Sequence, residues 1–293
     1  MSTDLDASFV EQYININTKL KKRFMRKPNI TEATNEFNAL AIQCEHSEQP
    51  GFAGHCYVGA AKCESSAGNT LGEAEYYLTA ARQFMKAEMK LSSLKCYSPT
   101  RENLEAAIGA YIQAMNKYPE KSPLRTSILL ELANGLVLLG SPLEALAYYQ
   151  QALETMDEGN LMRVKCLSNI LSLNIQKCRY DMALETADTI CDSKLNIPEH
   201  TLTEIQITRI LLGVLEEHAE RKPSLQKLFN DLLNDNEVPF NCDLKLKLQS
   251  IVICGLARDV EALTAVSADV GGFLTLQQRD LLNAIIRKME RNQ

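Results

Sequence analysis

Tryptophan is absent from this sequence of 293 residues, and aromatic residues make up only 6% of it. Aromatic platforms on which nucleic-acid bases could stack are therefore in short supply. The glycine loops that hold phosphates, the HExxH zinc motif and the GxSxG serine motif are also missing. Without these patterns the sequence offers no positive reason to expect an enzyme or a cofactor.

Cysteine occurs nine times but never as a CxxC pair. An odd, scattered set fits a reducing compartment, where free thiols pack as small apolar side chains. The densest group of possible metal ligands is Cys44, His46, His55, Cys56 and Cys63. Structural zinc sites usually pair ligands two to four residues apart, twice, and this group lacks that spacing. We therefore expect packing cysteines and exposed histidines here.

Long apolar runs are absent too. The longest, "SILLELANGLVLLG", is interrupted by Glu131 and Asn134 and is too short to span a bilayer. The first residues, "MSTDLDASFV", are acidic and polar, unlike a secretory signal peptide. We expect a cytoplasmic protein that does not insert into membranes.

Helix signals dominate what is present. Period-two alternation of β-branched residues is missing, and proline and glycine lie between the periodic segments. Four segments begin with a side chain that can cap a helix, and in three of them proline follows at the first helical position. These caps are Asn29 with Glu32, Ser98-Pro99, Ser122-Pro123, and Ser141-Pro142 with Glu144. Beyond Pro198, helices are expected in residues 200–220, 224–235, 242–259 and 275–293, and a loop at "NDNEVPFN".

One pattern of small and apolar residues recurs along the chain. Its form is alanine, an aromatic residue four positions later and alanine three positions after that. Five copies, several of them loose, recur every 33 to 41 residues, which is typical of a helical repeat array. The copies are Ala33/Phe37/Leu40, Ala74/Leu78/Ala81, Ala107/Tyr111/Ala114, Ala145/Tyr149/Ala152 and Ala183/Ala187/Ile190.

The fourth copy extends into the segment before it. There Leu129, Leu132, Ala133, Leu136 and Gly140 fill the positions that tetratricopeptide repeats occupy with large, small and turn residues. We predict an all-α fold, a tetratricopeptide-like helical solenoid of stacked antiparallel helix pairs. A generic helical bundle is the alternative. The prediction treats residues 1–293 as one domain, with the repeats in 1–195 and degenerate repeats in the C-terminal helices of 196–293.

The segment "KLKKRFMRKPN" is basic in a chain whose formal net charge is −6. An apolar stripe that begins at Phe9 and runs through Leu20 to Phe24 predicts that this segment is the solvated end of a helix. Nuclear import is a second interpretation, whereas nucleic acid is disfavoured because the rest of the chain is acidic. The third is contact with an acidic surface of a protein partner. The cations that would make this contact are Lys21, Lys22, Arg23, Arg26 and Lys27.

The C-terminal segment carries an apolar stripe up to two residues wide. Thr275 can cap its helix. Either both apolar rows pack inward on this chain, or one row meets a partner as a helix in a groove. Leu282 and Ile286 would share the partner face.

Three segments resemble one known family. The segments "KLKKRFMRKPNITEA", "LQSIVICGLARDVEALTAV" and "LTLQQRDLLNAII" are similar to the N-terminal segment and the last two helices of the huntingtin-associated protein 40 family, also called the factor VIII intron 22 proteins. The likeness in order and helical pattern covers most of the chain. Vertebrate members carry a proline-rich insertion that has no counterpart around residues 190–200, so the sequence resembles an invertebrate form.

The resemblance implies a helical solenoid that binds huntingtin, a large HEAT-repeat protein, in a stable one-to-one complex. It also implies a link to vesicle movement and to early endosomes through a Rab GTPase. The expected locations are the cytoplasm, early endosomes and, from the basic segment, the nucleus. The segment "EAEYYLTAARQFMKAE" resembles instead the soluble NSF attachment proteins, adaptors for SNARE complexes in membrane fusion. That class is the alternative, and an enzyme of unrecognised kind is the third.

Overall fold

Helices account for all the regular structure in the part of the chain that is described. The computed structural model describes residues 2–20, 29–96, 98–193, 195–216, 222–234 and 236–291, and within these ranges it contains no strand. The predicted all-α class is therefore confirmed. The chain divides into two compact units, and the boundary falls between Thr155 and Met156. That both units act as one domain stays a prediction.

The first unit contains seven helices within the described ranges. Each of these helices contacts the next one along the chain. They are α1 Ser2–Leu20, α2 Ile30–His46, α3 Pro50–Ala67, α4 Thr70–Ser93, α5 Glu102–Met115, α6 Pro123–Leu138 and α7 Pro142–Thr155.

The tyrosines of the repeat pattern reach α6 from the helices on either side of it. Tyr111 on α5 and Tyr149 on α7 are almost completely buried. The hydroxyl of Tyr111 donates a hydrogen bond to Glu131 Oε1 at 2.9 Å, and that of Tyr149 donates to Asn134 Oδ1 at 2.5 Å. Both bonds satisfy a polar group that burial would otherwise leave without a partner.

The small residues of the pattern lie where the prediction placed them. Ala107, Ala145 and Ala152 have no exposed surface, so a larger side chain would have to displace its neighbours. Gly140 has a left-handed φ of 75° in the turn between α6 and α7, a conformation that costs glycine little. The predicted turn is confirmed.

The helix caps were predicted with mixed success. Asn29 and Ser122 accept hydrogen bonds from the backbone N–H groups of Glu32 and Leu124, as expected. The predicted helix start at Ser98-Pro99 was wrong, because α5 begins at Glu102. The residue before it, Arg101, has a left-handed φ of 46° and interrupts the helical path.

The second unit also contains seven α-helices within the described ranges, together with a short 3₁₀ helix. The predicted helices beyond Pro198 are confirmed, and α13 was not predicted. The elements are α8 Met162–Gln176, α9 Tyr180–Cys191, α10 Glu199–Leu215, α11 Pro223–Leu233, α12 Cys242–Ala257, α13 Val260–Val270, the 3₁₀ helix Gly271–Phe273 and α14 Leu276–Arg291.

Helix α10 is the centre of the second unit. It contacts α9, α11, α12 and α14, and its residues from Ile207 to Leu215 are all buried. An α-helix that is apolar on every side must be covered on every side, and the run "ILLGVL" meets that condition. Four other helices of this unit therefore cover α10.

A buried arginine ties three of these helices together. Arg209 on α10 is 2% exposed. Its Nε donates to Asp188 Oδ1 on α9 at 2.5 Å, and its Nη2 donates to Ser224 Oγ on α11 at 2.6 Å. A charge in a protein interior needs this kind of pairing, because desolvation alone would cost several kcal/mol.

Candidate partner-binding surfaces

The five cations from Lys21 to Lys27 that were predicted to meet a partner lie outside the described residues, so their role stays a prediction. The helix before them has the expected apolar stripe. Ile16 is buried, and the ring of Phe9 stacks on that of Phe52 on α3 at a centroid distance of 4.4 Å. Lys19 pairs with Glu36 on α2, with 2.5 Å between Nζ and Oε1. This partly exposed ion pair joins the last turn of α1 to α2.

The two C-terminal candidates differ in their surroundings. Leu282 is only 2% exposed, so its side chain packs inside the second unit and offers no surface to a partner in this conformation. Ile286 is half-buried. Of the two interpretations made for this stripe, inward packing is the one that describes Leu282, and a partner contact at Ile286 stays a prediction.

A groove lies between α8 and α10 in the second unit. The first turn of helix α14 bonds to both of these helices and lies at one end of the space between them. The remaining part is an open cavity of about 740 Å³. Its walls are residues 161–171 and 198–208, and residues 275–278 close the end nearest α14.

Two glutamines fix the start of α14 to the two walls. Gln277 Nε2 donates to the carbonyl oxygen and the hydroxyl of Ser172 on α8, at 2.9 and 3.0 Å. Gln278, which is 2% exposed, donates to the carbonyl oxygen of Glu204 and to Thr208 Oγ1 on α10, at 2.9 and 3.1 Å. Its own Oε1 accepts from the N–H of Thr275 at 2.9 Å. Four hydrogen bonds therefore join the first turn of α14 to α8 and α10 at this end of the groove.

Thr275 caps α14 as predicted. Its hydroxyl oxygen accepts a hydrogen bond from the N–H of Gln278 at 3.3 Å. Together with the return bond from the Thr275 N–H to the Gln278 side chain, this pair forms a reciprocal capping box.

The lining of the groove combines an apolar floor with polar walls. Val164, Leu171 and Ile205 are buried, and the rim carries the exposed leucines Leu161 and Leu276. Lys165 lies on the α8 wall and Glu204 on the α10 wall. A recess with an apolar base and charges at its edges is the composition of many protein-binding sites.

A second exposed apolar surface lies on α12. Leu246, Ile253 and Leu256 are each about half-exposed, and their spacing of seven and three residues places them on one side of the helix. Exposed apolar surface along one side of a helix commonly marks a contact with another protein.

The cysteine-rich segment of α2 and α3 has the character that the sequence predicts. Cys44, Cys56 and Cys63 are buried, and His46 and His55 are exposed. Burial raises the pKa of all three thiols, so the thiolate that binds metal or attacks an electrophile is disfavoured. Among the described residues, no group of three or more histidine, cysteine or acidic side chains could hold a metal ion.

Apart from Thr275, the residues that define the groove were not singled out from the sequence. Gln278 lies three positions after Thr275, and this spacing is the signal of a capping box. The contacts from that glutamine to α10 cross 70 or more residues of chain, and no local pattern encodes them. Arg209 had a visible signal, since it is the one charge inside the apolar run "ITRILLGVL".

The fold and these surfaces define a class: within the described ranges this is an all-helical protein with an open, partly apolar groove. No helix in the described ranges combines the length and apolar character that a bilayer crossing requires. No family model matches the chain.

The chain is similar to the 40-kDa huntingtin-associated proteins of Rattus norvegicus and Mus musculus. It is 33% identical to each of them over 147 residues. The match covers 49% of this chain and 39% of the length of each relative. This similarity supports a distant relationship to that family, in agreement with the resemblance seen in the sequence. The invertebrate form stays a prediction.

Proposed function

We propose that this chain is a non-catalytic binding partner of huntingtin. The observation that carries the proposal is the similarity over 147 residues to two proteins whose names state an association with huntingtin. In this proposal the two proteins form a stable one-to-one complex, with the chain held between the HEAT-repeat domains of huntingtin. The complex stabilises the chain and links it to early endosomes, a Rab GTPase and vesicle traffic.

The fold supports a role in binding. In the proposed tetratricopeptide-like arrangement, α6 and α7 form one antiparallel pair, and the fully buried Ala145 and Ala152 allow them to pack closely. Each such pair leaves an apolar face for its neighbour or for a partner.

The test is affinity purification of the tagged full-length chain from cells of its own species, followed by quantitative mass spectrometry. We expect huntingtin to be recovered in near-equal amount to the chain and to survive washing in 0.5 M salt, since a stable interface is not held by surface charge alone. Dominant recovery of SNARE proteins and of the membrane-fusion ATPase that such adaptors recruit would replace this proposal with the alternative adaptor function. Recovery of neither would contradict both.

A further inference from the structure

The open part of the groove continues the seat of α14. The first turn of α14 lies between α8 and α10, where Gln277 bonds to Ser172 and Gln278 bonds to Glu204 and Thr208. The separation of α8 and α10 at that end is therefore one that a helix spans. The open part begins where Gln277 and Gln278 fix the first turn of α14.

The polar groups of the groove favour a helix over an extended peptide. An extended segment needs partners for each of its backbone N–H and C=O groups, whereas a helix satisfies them internally. The hydroxyls of Ser168 and Thr208 already donate to the carbonyl oxygens of Val164 and Glu204, and the amide of Gln278 is bonded on both sides. These three polar side chains of the lining are already paired within the chain and do not offer bonds to an extended backbone.

We propose that the open part of the groove binds a short amphipathic helix of the partner, placed end to end with α14. This inference rests on the proposed function, because the helix belongs to huntingtin. The walls from residue 161 to 171 and from 198 to 208 are each about 15 Å long at 1.5 Å per residue. They accommodate about ten residues, or three helical turns, with apolar side chains at positions i, i+3 or i+4, and i+7.

The charged residues on the two walls determine which charges the bound helix should carry along its two sides. Lys165 on the α8 wall favours an acidic residue on one flank, and Glu204 on the α10 wall favours a basic residue on the other. Opposite charges on the two walls therefore select one direction of the bound helix. Reversing that direction would place like charges together.

The first experiment compares the affinity of purified huntingtin for two variants of the full chain. The rim variant combines Leu161→Gln with Leu276→Glu. Leu276 is 78% exposed and is the first residue of α14, where an acidic residue favours the helix, so folding is retained. The matched control combines Leu138→Gln with Leu143→Glu, two exposed leucines of the first unit. We expect the dissociation constant to rise about tenfold or more in the rim variant and less than about twofold in the control.

The second experiment identifies the occupant. The photoreactive residue p-benzoylphenylalanine replaces Thr201, a half-buried residue of the α10 wall, and the crosslinked peptide is sequenced. We expect a huntingtin segment with the helical apolar period given above. A proline placed at the centre of that huntingtin segment should weaken the binding of huntingtin to the chain as much as the rim variant does, because proline breaks the helix.

Several results would overturn the inference alone. They are equal affinities of the wild type and the rim variant, a crosslink to a second copy of this chain, and a crosslinked segment without the helical period. Failure of the wild-type chain to bind huntingtin at all would overturn the proposed function and this inference with it.

Discussion

Removal of the carboxylate of Asp188 is the perturbation that most directly tests how the second unit is held together. The Asp188→Ala variant leaves the buried guanidinium of Arg209 without its nearest counter-charge, which lies 2.5 Å away. Breaking a buried ion pair typically costs about 3–5 kcal/mol, because the remaining charge stays desolvated. Asp192 offers a residual contact to Arg209 at 3.7 Å, but its side chain is 39% exposed. We therefore expect a loss of about 3 kcal/mol, at the lower end of that range.

The assay is urea unfolding of the full chain, followed by circular dichroism at the helix band. Asp192→Ala is the matched control, since it removes a partly solvated carboxylate from the same arginine and should cost about 0–1 kcal/mol. The double variant Asp188→Leu with Arg209→Met should recover most of the loss, because an apolar pair of similar volume avoids desolvation. A loss below about 1 kcal/mol for Asp188→Ala, or one equal to that of Asp192→Ala, would show that the buried pair of Asp188 and Arg209 does not hold the second unit together.

Three further predictions follow from packing and charge. Ala145→Leu should destabilise the chain by about 1–3 kcal/mol in the same urea assay. The control Ala147→Leu, on the exposed side of α7, should change stability by less than about 0.5 kcal/mol. Equal effects of the two variants would contradict the buried position of Ala145. Gly255→Ala should destabilise by about 1–3 kcal/mol, because its Cβ would lie 2.5 Å from Val214 Cγ1. Gly109→Ala meets open space on α5 and should stabilise by about 0.5–1 kcal/mol; the same sign for both glycines would refute this. Glutamine at all five basic positions from 21 to 27 should slow association with huntingtin and flatten its salt dependence, measured by stopped flow. The control variant places glutamine at five exposed lysines elsewhere. Identical salt dependence of the two variants would mean that the basic segment is only the solvated end of a helix. The control lysines are Lys62, Lys86, Lys95, Lys121 and Lys177.

The sequence predicted those features of the fold that depend on neighbouring residues. The cap at Asn29 and the turn at Gly140 each need one side chain or one φ angle, and both were recognised from a few residues. The buried alanines were recognised from their spacing. Such signals depend on residues that are close in the chain, and at these positions the long-range contacts agree with them.

The start of α5 shows where local signals fail. A serine followed by proline predicts a helix from Pro99, but Arg101 is fixed in a left-handed conformation. Its guanidinium donates to Ser141 Oγ at 2.9 Å and lies 3.6 Å from the buried carboxylate of Glu88. These contacts come from residues 13 and 40 positions away, and they outweigh the local preference of the serine-proline pair.

The groove is invisible in the sequence for the same reason. Its third side comes from Gln277, which contacts Ser172 across 105 residues of chain. The stripe on α14 was recognised as apolar, but its surroundings depend on α8 and α10. The burial of Leu282 therefore required the structure.

The proposed association with huntingtin can be measured with purified proteins. The chain is mixed with purified huntingtin of the same species, and the mass of the product is measured by size-exclusion chromatography with light scattering. We expect a single species with the summed mass of one copy of each protein, stable on dilution to nanomolar concentration. Two separate peaks at micromolar concentrations of both proteins would contradict it.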